Sequence, residues 1–542
     1  MKKISYGLLL SLFCLPACIG LKKLDPAQGD GNIEIIFLQL NDVYEIAPIE
    51  NGKAGGLARV AHFRKQLLQE NPNTVTVLAG DFLNPSLIGT LKQDGKSIKG
   101  KHMVESMNAL GIDYVCFGNH EFDLDYKDLQ NRLNESKFEW LGGNVLAIDS
   151  VIDVNTGIKN EDIHPFFKET KEQKTFLKNE KMLHFKDADG TTAEIGLFAA
   201  TMNANEKAYV RYSDVFKSSQ ASIARLNGQA ERPADLMNQP KPVVADAIIG
   251  LTHLPLSDDK AIASMNPMVK LIMGGHEHNQ IKEKVGKTYI HKADANAKTV
   301  WIHRLKINKK RQKVCLKSNW LKIDDTIPED TATARVVQKW TEVANQIFKK
   351  SGFNPTEVIA TLSEALDGRE ASLRFQQVNI GKMVSESMMA AAQNKTDCAF
   401  FNSGAIRIDD QIDGKITQAD ILRMMPFGGK LVEMDITGKE LNKVLYAGLL
   451  NRGRGGYLQW TGISFSDIDK TFKINNIPLD MNRKYHIITN DFLLTGKESN
   501  LSFFTESNEN ISNLSKSNPA NTNDLRNNMQ QAVIHFLKQK NK

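Results

Sequence analysis

Cysteine is scarce in this chain of 542 residues, which contains only five. After the N-terminal segment, Cys116, Cys315 and Cys398 remain, and they are far apart in the sequence. An odd number of widely spaced cysteines argues against a framework of disulfide bonds. Cys116 lies in the apolar run from Tyr114 to Phe117, so we expect a buried thiol on a strand there.

A strong excess of charge of either sign is also missing. Lys and Arg number 69 against 63 Asp and Glu, which gives a net charge of +6, and no dense basic stripe is present. We therefore expect no nucleic-acid binding as a main task. The composition, 41% hydrophobic and 24% charged, is that of an ordinary globular protein. The length predicts about two or three domains, and no internal repeat is evident.

Long apolar runs are missing except at the N-terminus. There, two lysines precede an apolar stretch from Ile4 to Leu15, which is too short to span a bilayer stably. The stretch ends in Leu-Pro-Ala-Cys, with its cysteine at Cys18, and this resembles the lipobox of bacterial lipoproteins. We therefore predict a signal peptide over residues 1–17, lipidation of Cys18 and a tether over residues 18–32. The protein would then be exported and anchored to a membrane of the bacterial cell envelope, on its periplasmic or surface side. The alternative is a plain secretory signal that is cleaved nearby.

Five short motifs contain side chains that can bind metals. They read Leu-Asn-Asp-Val-Tyr, Gly-Asp, Gly-Asn-His-Glu, Thr-His and Gly-Gly-His-Glu-His. A mixed set of carboxylate, amide and imidazole ligands suits two adjacent divalent ions such as Mn or Zn. Two metals that share one carboxylate can attack a phosphate ester with hydroxide, and the two oxygens of Asp81 could bridge them. The predicted metal ligands are Asp42, Asp81, Asn119, His253, His276 and His278.

Apolar runs alternate with helical patterns over residues 33–325, which predicts an α/β domain. Every motif follows a predicted strand, and side chains at the carboxyl ends of such strands meet at one edge of a sheet. Each residue has another interpretation when it is taken alone. Asp42 and Asp81 could cap helices, Asn119 could be a turn residue, and the two histidines of His-x-His could lie on a solvated loop.

His120 is assigned to catalysis and not to metal binding. An imidazolium next to the metal ligand Asn119 can stabilise charge on the transferred phosphoryl group and protonate a leaving oxygen. Asp123, three residues later, can accept a hydrogen bond from the ring and fix its tautomer. The alternative is that His120 only packs behind the metal ligands.

A polar amphipathic pattern from Thr331 to Lys350 predicts one long helix. We therefore assign residues 326–353 to a linker helix and residues 354–542 to a second domain that mixes helices and strands. Residues 506–525 are rich in Asn, Ser and Thr and predict a long surface loop before a last helix from Leu525 to Lys540.

The order of the metal-binding motifs resembles the calcineurin-like metallophosphoesterase superfamily, whose domain is a four-layer α/β/β/α sandwich. Four motifs in the second half narrow the resemblance to the 5′-nucleotidase family: Leu373-Arg374-Phe375, Phe401-Asn402-Ser403-Gly404-Ala405-Ile406-Arg407, Met425-Pro426-Phe427-Gly428 and Thr489-Asn490-Asp491-Phe492. In that family the N-terminal domain holds two metals, an α+β C-terminal domain grips the nucleotide, and a hinge rotation brings the two together.

The same resemblance implies the residues that bind substrate. Arg374 and Arg407 would bind phosphate or nearby polar groups, because guanidinium groups suit phosphate oxygens. Phe427 and Phe492 would hold the base between their rings. Without the family match, both phenylalanines would be assigned to core packing. Glu498 would replace the aspartate that reads the ribose hydroxyls, although its side chain is longer.

Three positions depart from the family's pattern. Tyr44 stands where the opening Asp-x-His motif has histidine, so one metal would lose a ligand, gain a phenolate or be held by water. Gly429 stands where an asparagine commonly contacts the base. The sequence Gly-Lys-Glu-Ser beginning at Gly496 replaces Gly-Gly-Asp-Gly, and its Lys497 adds a positive charge near the pocket.

The sequence therefore predicts an exported, lipid-anchored phosphohydrolase with two metals that acts on nucleotides or related phosphate esters. One alternative is a 2′,3′-cyclic phosphodiesterase or nucleotide-sugar hydrolase of the same build. Another is a non-catalytic surface lipoprotein that binds a partner. The complete set of ligands with His120 and Asp123 favours the enzyme, whereas Tyr44 argues weakly for the binding protein. No oligomeric state is predicted.

Overall fold

The computed structural model describes residues 29–152, 159–229 and 243–541. The predicted signal peptide, the predicted lipidation site at Cys18 and most of the tether lie outside these residues. Within them, two units of sheets and helices are joined by one long helix.

Two six-stranded sheets form the centre of the N-terminal domain. The first contains, in spatial order, Lys313–Lys322, Thr299–Asn308, Asn32–Leu40, Thr74–Ala79, Tyr114–Cys116 and Glu139–Leu141. The second contains Glu180–Lys186, Thr192–Thr201, Ala247–His253, Val269–Gly274, Thr288–Lys292 and Ile281–Val285. Shorter paired strands lie outside these sheets: Lys92–Gln93 with Lys96–Ser97, Phe167–Glu169 with Lys174–Phe176, and Val145–Ile152 between Lys159–Pro165 and Val210–Tyr212.

The two sheets face each other across an aliphatic core. Ile35 and Phe37 of the first sheet share one buried cluster with Leu197 and Ile249 of the second. Ile36 and Leu38, which alternate with these residues along the same strand, join the cluster on the other face. Successive side chains of a strand point to opposite faces of the sheet. Helices cover both outer faces, which confirms the four-layer α/β/β/α sandwich. These helices are Leu57–Glu70, Lys101–Leu110, Tyr126–Glu135, Val215–Leu226 and Leu256–Met265.

Parallel pairing brings the ends of the central strands together. Leu40 lies opposite Leu78, and Ala79 lies opposite Cys116, each in a parallel pair. In the second sheet, Thr252 lies opposite Gly274, also in parallel. The chain therefore leaves neighbouring strands at the same edge of each sheet, and the loops that carry the metal-binding motifs begin there.

The connecting helix spans Thr331–Lys350, as the sequence predicts. Asp330 caps it, because its side chain accepts a hydrogen bond from the backbone N–H of Thr333. The helix packs against two helices of the N-terminal domain, and buried Trp340 donates from Nε1 to Glu105 over 2.9 Å. Its apolar face is thus held by the first domain. None of the helices in the described ranges is long and apolar enough to cross a bilayer.

The C-terminal domain is built on a five-stranded sheet with mixed strand directions. Its spatial order is Leu458–Thr461, Cys398–Asn402, Lys484–Asn490, Leu431–Thr437 and Ile511–Lys516. The main helices are Asn379–Ala391, Gln418–Met424, Gly438–Leu450 and Met529–Lys540. Short strands pair as Val358–Thr361 with Lys415–Thr417, Leu366–Asp367 with Gln411–Ile412, and Thr471–Ile474 between Ile463–Ser466 and Ile477–Pro478. This domain is the expected α+β unit.

The predicted loop over residues 506–525 is wrong in one respect. It contains the strand Ile511–Lys516, which pairs antiparallel with Leu431–Thr437 at the edge of the sheet. An edge strand needs only one partner, so its backbone can join the ladder although its side chains are mostly polar. The last helix also begins later than predicted, at Met529, after a short 3-10 turn over Leu525–Asn527.

Candidate metal and phosphate site

Asp42 and Asp81 lie directly after neighbouring parallel strands in strained backbone. Both have positive φ, 52° for Asp42 and 57° for Asp81. The two loops are tied together, because Asp42 N–H donates to Gly80 O over 3.1 Å and Val43 N–H donates to Asp81 O over 2.9 Å. Left-handed backbone at a residue other than glycine costs free energy, and it is typical of functional sites. Here it turns both carboxylates into one pocket.

His253 completes a compact cluster with these aspartates. Ligand atoms of Asp42, Asp81 and His253 all lie within 4.8 Å of one another, and all three side chains are buried. His253 Nε2 is 3.1 Å from Asp81 Oδ2 and 3.9 Å from Asp42 Oδ1. Its Nδ1 lies 2.8 Å from Ala79 O, and a hydrogen bond there leaves Nε2 to face the carboxylates. This is the arrangement of a metal-binding imidazole.

Charge in the cluster is coupled through short distances. Burial by itself lowers the pKa of His253, but the negative charges of Asp81 and Asp42 outweigh it and raise the pKa to about 9. Burial would raise the pKa of Asp81, but the charges of His253 and His120 outweigh burial and lower it. A cation at this point is therefore strongly favoured. A divalent metal would replace the proton on His253 and supply that charge.

Glycines in the motifs allow the loops to approach each other. A Cβ on Gly118 would lie 2.1 Å from Asp81 Oδ1, and a Cβ on Gly275 would lie 2.4 Å from Ala79 O. Neither position can accept a side chain without moving a predicted metal ligand or the strand end next to it. Close packing of the loops thus explains why glycine precedes Asn119 and His276 in their motifs.

Asn119, His276 and His278 reach the same region from other loops. Oδ1 of Asn119 is buried and has no hydrogen-bond partner among residues 29–152, 159–229 and 243–541. The ring of His276 lies 5.5 Å from that of His253, and its backbone N–H donates to Asp42 Oδ2 over 2.9 Å. His278 Nε2 lies 3.2 Å from Asp42 Oδ1. All six predicted ligands therefore converge on one pocket.

The His-Glu-His loop is held by a buried ion pair. Glu277 accepts hydrogen bonds from Lys292 Nζ and Leu256 N–H, each over 2.5 Å. Lys292 is fully buried and also lies 2.9 Å from Asp259, which in turn accepts from the Thr252 hydroxyl. His276 and His278 both have positive φ, 93° and 60°. The anchored Glu277 between them keeps both imidazoles turned toward Asp42.

Tyr44 points into the cluster. Its hydroxyl lies 3.0 Å from His278 Nε2, 3.2 Å from Asp81 Oδ2 and 3.4 Å from Asp42 Oδ1. Burial and the negative charges of Asp81 and Asp42 raise the pKa of the phenol well above its ordinary value. The hydroxyl therefore stays protonated beside two carboxylates, in the space where histidine stands in the family's motif.

His120 lies next to the cluster, with a carboxylate hydrogen-bonded to its ring. Its Nδ1 is 2.7 Å from Asp123 Oδ2, and its backbone N–H donates to Asp81 Oδ1 over 2.8 Å. Burial lowers the pKa of His120, but the charges of Asp81 and Asp123 outweigh it and raise the pKa above its ordinary value. The charges of these two carboxylates therefore favour the protonated form of the ring.

Two asparagines that the sequence motifs do not contain support this pair. Asn84 Nδ2 donates to Asp123 Oδ2 over 2.9 Å, and Asn205 Nδ2 donates to Asp123 Oδ1 over 3.0 Å. Asn205 also donates to Asn119 O over 3.0 Å. They come from separate loops with no recognisable spacing, so no sequence signal could have identified them.

Glu121 has a role that its place in the Gly-Asn-His-Glu motif did not reveal. Its carboxylate accepts from four backbone N–H groups, those of Asp81, Phe82, Leu83 and Gly118, over 2.6–3.1 Å. Burial and the charge of Asp81 raise the pKa of Glu121 to about 7, against the opposing effect of these donors. Glu121 thus joins the loops that carry Asp81 and Asn119.

The two predicted phosphate-binding arginines differ in their surroundings. Arg407 lines a crevice between the domains together with Tyr44, and its charge acts on His120. Arg374 is 4% exposed and donates to Ser403 O, to Ile406 O over 3.1 Å and to Glu370 over 2.8 Å. Its guanidinium therefore shapes the loop that carries Arg407. Arg374 thus binds nearby polar groups of the protein, and its contact with phosphate stays a prediction.

An open cleft of about 340 Å³ lies in the C-terminal domain, and both predicted stacking residues line it. Phe427 is 60% exposed and Phe492 is 40% exposed, which is unusual for rings that pack in a core. Asn402 also lines the cleft and donates to half-buried Glu498 over 3.2 Å. Gly429 has φ of 115°, and a side chain there would be strained.

Comparisons with known proteins agree with both halves of this architecture. The model of calcineurin-like phosphoesterases matches residues 35–280, and the model of the 5′-nucleotidase C-terminal domain matches residues 358–506. The fold and the metal-binding cluster thus define a metal-dependent phosphoester hydrolase. With the second domain matched as well, the chain belongs to the 5′-nucleotidase family.

Individual relatives have low sequence identity to this chain but match most of its length. The human 5′-nucleotidase is 23% identical over 86% of this chain and 84% of its own length. A trifunctional nucleotide phosphoesterase protein of Bacillus subtilis is 25% identical over 89% of this chain, which spans only 33% of that larger protein. The crystal structure of a 5′-nucleotidase precursor from Thermus thermophilus covers 94% of this chain and 97% of its own, with a TM-score of 0.66 and 20% identity. That likeness shows the fold.

Proposed function

We propose that this protein removes the phosphate group from nucleotides, as an exported enzyme anchored to a membrane by a lipid. The observation that carries the proposal is the meeting of three groups at the crevice between the domains. Asp42, Asp81 and His253 form the metal-binding cluster, and His120 stands at its mouth. Arg407 faces them from the second domain, which also bears a cleft lined by exposed aromatic rings.

The residues fit two divalent ions of the Mn or Zn type. Asn119 Oδ1 is a buried ligand atom with no hydrogen-bond partner in the described part of the chain, and a metal would satisfy it. Oδ2 of Asp81 faces both His253 Nε2 and the Tyr44 hydroxyl, and its Oδ1 accepts from the backbone N–H of His120. We assign Asp81 as the ligand that both ions would share. Asn119, His253 and His276, whose ring lies 5.5 Å from that of His253, would hold one ion with Asp81. Asp42 and His278 would hold the other. Divalent metals in such sites polarise the phosphoryl group and lower the pKa of water.

The chain's own groups supply the rest of the chemistry. His120, whose protonated form is favoured by the charges of Asp81 and Asp123, would stabilise the charge on the phosphoryl oxygens and then protonate the leaving oxygen of the nucleoside. Arg407 would bind a phosphate oxygen through its guanidinium. Arg374 would keep the loop of Arg407 in position through its bonds to Ser403 and Ile406.

Recognition of the nucleoside is assigned to the C-terminal cleft. Phe427 and Phe492 would stack on the base, which contributes about 1–3 kcal/mol per base. Glu498, held beside the cleft by Asn402, would accept hydrogen bonds from the ribose hydroxyls. The names of the relatives support a nucleotide substrate, since the human and cattle proteins are both 5′-nucleotidases.

A substrate panel tests the proposal. The mature chain, stripped of metal and reloaded with Mn²⁺ or Zn²⁺, would be assayed on nucleoside 5′-monophosphates, 2′,3′-cyclic nucleotides, nucleotide sugars and a chromogenic phosphate ester. We expect the highest kcat/KM with 5′-monophosphates. His120→Ala should lower kcat by about 10²–10⁴ while the metal content stays unchanged. Preference for a cyclic nucleotide or nucleotide sugar would refute the substrate, and inactivity on the whole panel would refute the reaction.

The lipid anchor rests on the N-terminal sequence alone. Cys18→Ser removes the thiol that the lipid would modify. We expect the parent to fractionate with membranes and to incorporate a labelled fatty acid, and the variant to do neither. A parent protein that is released without label would mean that the segment is a plain secretory signal.

A further inference from the structure

His278 is held from the opposite domain, unlike His253. His278 Nδ1 lies 2.7 Å from Oδ2 of Asp409, a residue of the C-terminal domain. Nε2 of the same ring faces Asp42 Oδ1 at 3.2 Å and the Tyr44 hydroxyl at 3.0 Å. The ring thus has one nitrogen in the cluster of the first domain and the other on a carboxylate of the second.

Asp409 is itself fixed in place. Its Oδ1 accepts from the backbone N–H of Glu370 over 2.7 Å, and its backbone oxygen accepts from Lys298 Nζ over 3.2 Å. The side chains of His278 and Asp409 are only 13% and 12% exposed. Both carboxylate oxygens of Asp409 are thus hydrogen-bonded in a largely buried contact. The side chain cannot turn to another partner without losing the bonds to His278 and Glu370.

A carboxylate behind a metal-binding histidine has a definite effect. It accepts the proton of one ring nitrogen, which leaves the lone pair of the other nitrogen directed at the metal and more basic. For His253, Ala79 O of the same domain does this. For His278, the acceptor that the described residues place at Nδ1 is Asp409 of the second domain.

We propose that Asp409 is a positioning residue for His278, through which the C-terminal domain completes the metal site of the N-terminal domain. The inference rests on the proposed function, in which His278 is a metal ligand. It assigns to the second domain a task besides holding the nucleotide, because the affinity for one metal depends on the contact between domains. Asp409 lies two residues after Arg407, so one loop reaches both the phosphate and the metal site.

Metal binding, measured without substrate, tests this directly. The full mature chain would be stripped with a chelator and titrated with Co²⁺ by calorimetry. We expect Asp409→Ala to weaken one of two binding events by about 10- to 100-fold and to leave the other unchanged. Asp409→Asn, which keeps an oxygen acceptor in the same shape, should lose less. It also remains informative if the alanine variant folds poorly.

Asn51→Ala is the matched control. Asn51 Nδ2 donates to Asp413 O over 2.8 Å, another contact between the same domains that does not touch a predicted ligand. This variant should bind Co²⁺ like the parent. An equal loss of Co²⁺ affinity in Asn51→Ala would overturn the inference, because it would indicate a general loosening of the contact between the domains. Co²⁺ affinities in Asp409→Ala equal to those of the parent would also overturn it. A parent that binds no Co²⁺ would refute the metal assignment under the proposed function, and the inference with it.

Discussion

Replacing Asp123 by asparagine should move the pH dependence of catalysis. In the proposed mechanism His120 acts in its protonated form, so we expect activity to fall as the pH rises through the pKa of His120. The negative charge of Asp123, whose Oδ2 is 2.7 Å from His120 Nδ1, is one of the causes that raise this pKa. Asp123→Asn removes that charge and lowers the pKa, and the alkaline limb of the kcat/KM profile must therefore shift to lower pH.

The size of the shift follows from the geometry. Unit charges about 4 Å apart interact by about 1 kcal/mol in water and about 4 kcal/mol at an effective dielectric constant of 20. One pKa unit corresponds to about 1.36 kcal/mol, so the possible range is about 1–3 units. The two side chains are 24% and 29% exposed, which admits solvent screening. We therefore expect a shift near the lower end, about 1 pH unit.

The assay is kcat/KM for a nucleoside 5′-monophosphate from pH 5 to pH 10, with metal content measured on the same samples. Asp125→Asn is the matched control, because Asp125 lies two residues away, is 80% exposed and pairs with Lys99. Its profile should coincide with that of the parent. An unchanged alkaline limb in Asp123→Asn, with metals retained, would refute the assignment of that limb to His120.

Three further substitutions test separate parts of the site. Asp81→Ala should lower kcat/KM by about 10²–10⁴, since a metal contributes several kcal/mol of charge stabilisation, and should release metal; two retained ions would contradict the bridging role. Phe427→Ala should raise KM for nucleotides about 5- to 150-fold, as expected for 1–3 kcal/mol of stacking, and leave a small chromogenic ester nearly unaffected; equal damage to both substrates would make Phe427 a structural residue. Tyr44→His should lower the Mn²⁺ concentration for half-maximal activity about tenfold, or 1.4 kcal/mol, because a neutral nitrogen donor replaces a protonated phenol. Identical activation curves would mean that Tyr44 does not shape the metal site.

The convergence of the six predicted ligands could be anticipated from the sequence. Asp42, Asp81 and His276 follow buried strands, and the rule that parallel strands present their carboxyl ends at one edge brings them together without knowledge of the loops. The helix Thr331–Lys350 was equally predictable, because its apolar positions recur with helical spacing over 20 residues.

Contacts made by single side chains across loops could not be anticipated. Asn84, Asn205 and Asp409 act through hydrogen bonds to residues between 39 and 131 positions away, and no local pattern encodes such a pairing. The partners of Arg374 could not be specified for a related reason, because an arginine that binds backbone oxygens and one that binds phosphate look alike in sequence. The strand Ile511–Lys516 was missed because an edge strand needs no apolar alternation.

The connecting helix determines which part of the chain can bend. Since Trp340 is buried against the first domain and bonded to Glu105, the helix moves with that domain as a rigid arm of about 30 Å. Any rotation of the second domain must be absorbed beyond Lys350. There Gly352 has φ of 84°, and no atom of the described residues lies within 4 Å of the place that a Cβ would take. Since this φ strains any residue other than glycine, and proline cannot adopt it, a substitution at Gly352 should disturb the pivot while leaving the metal site and the nucleotide cleft untouched.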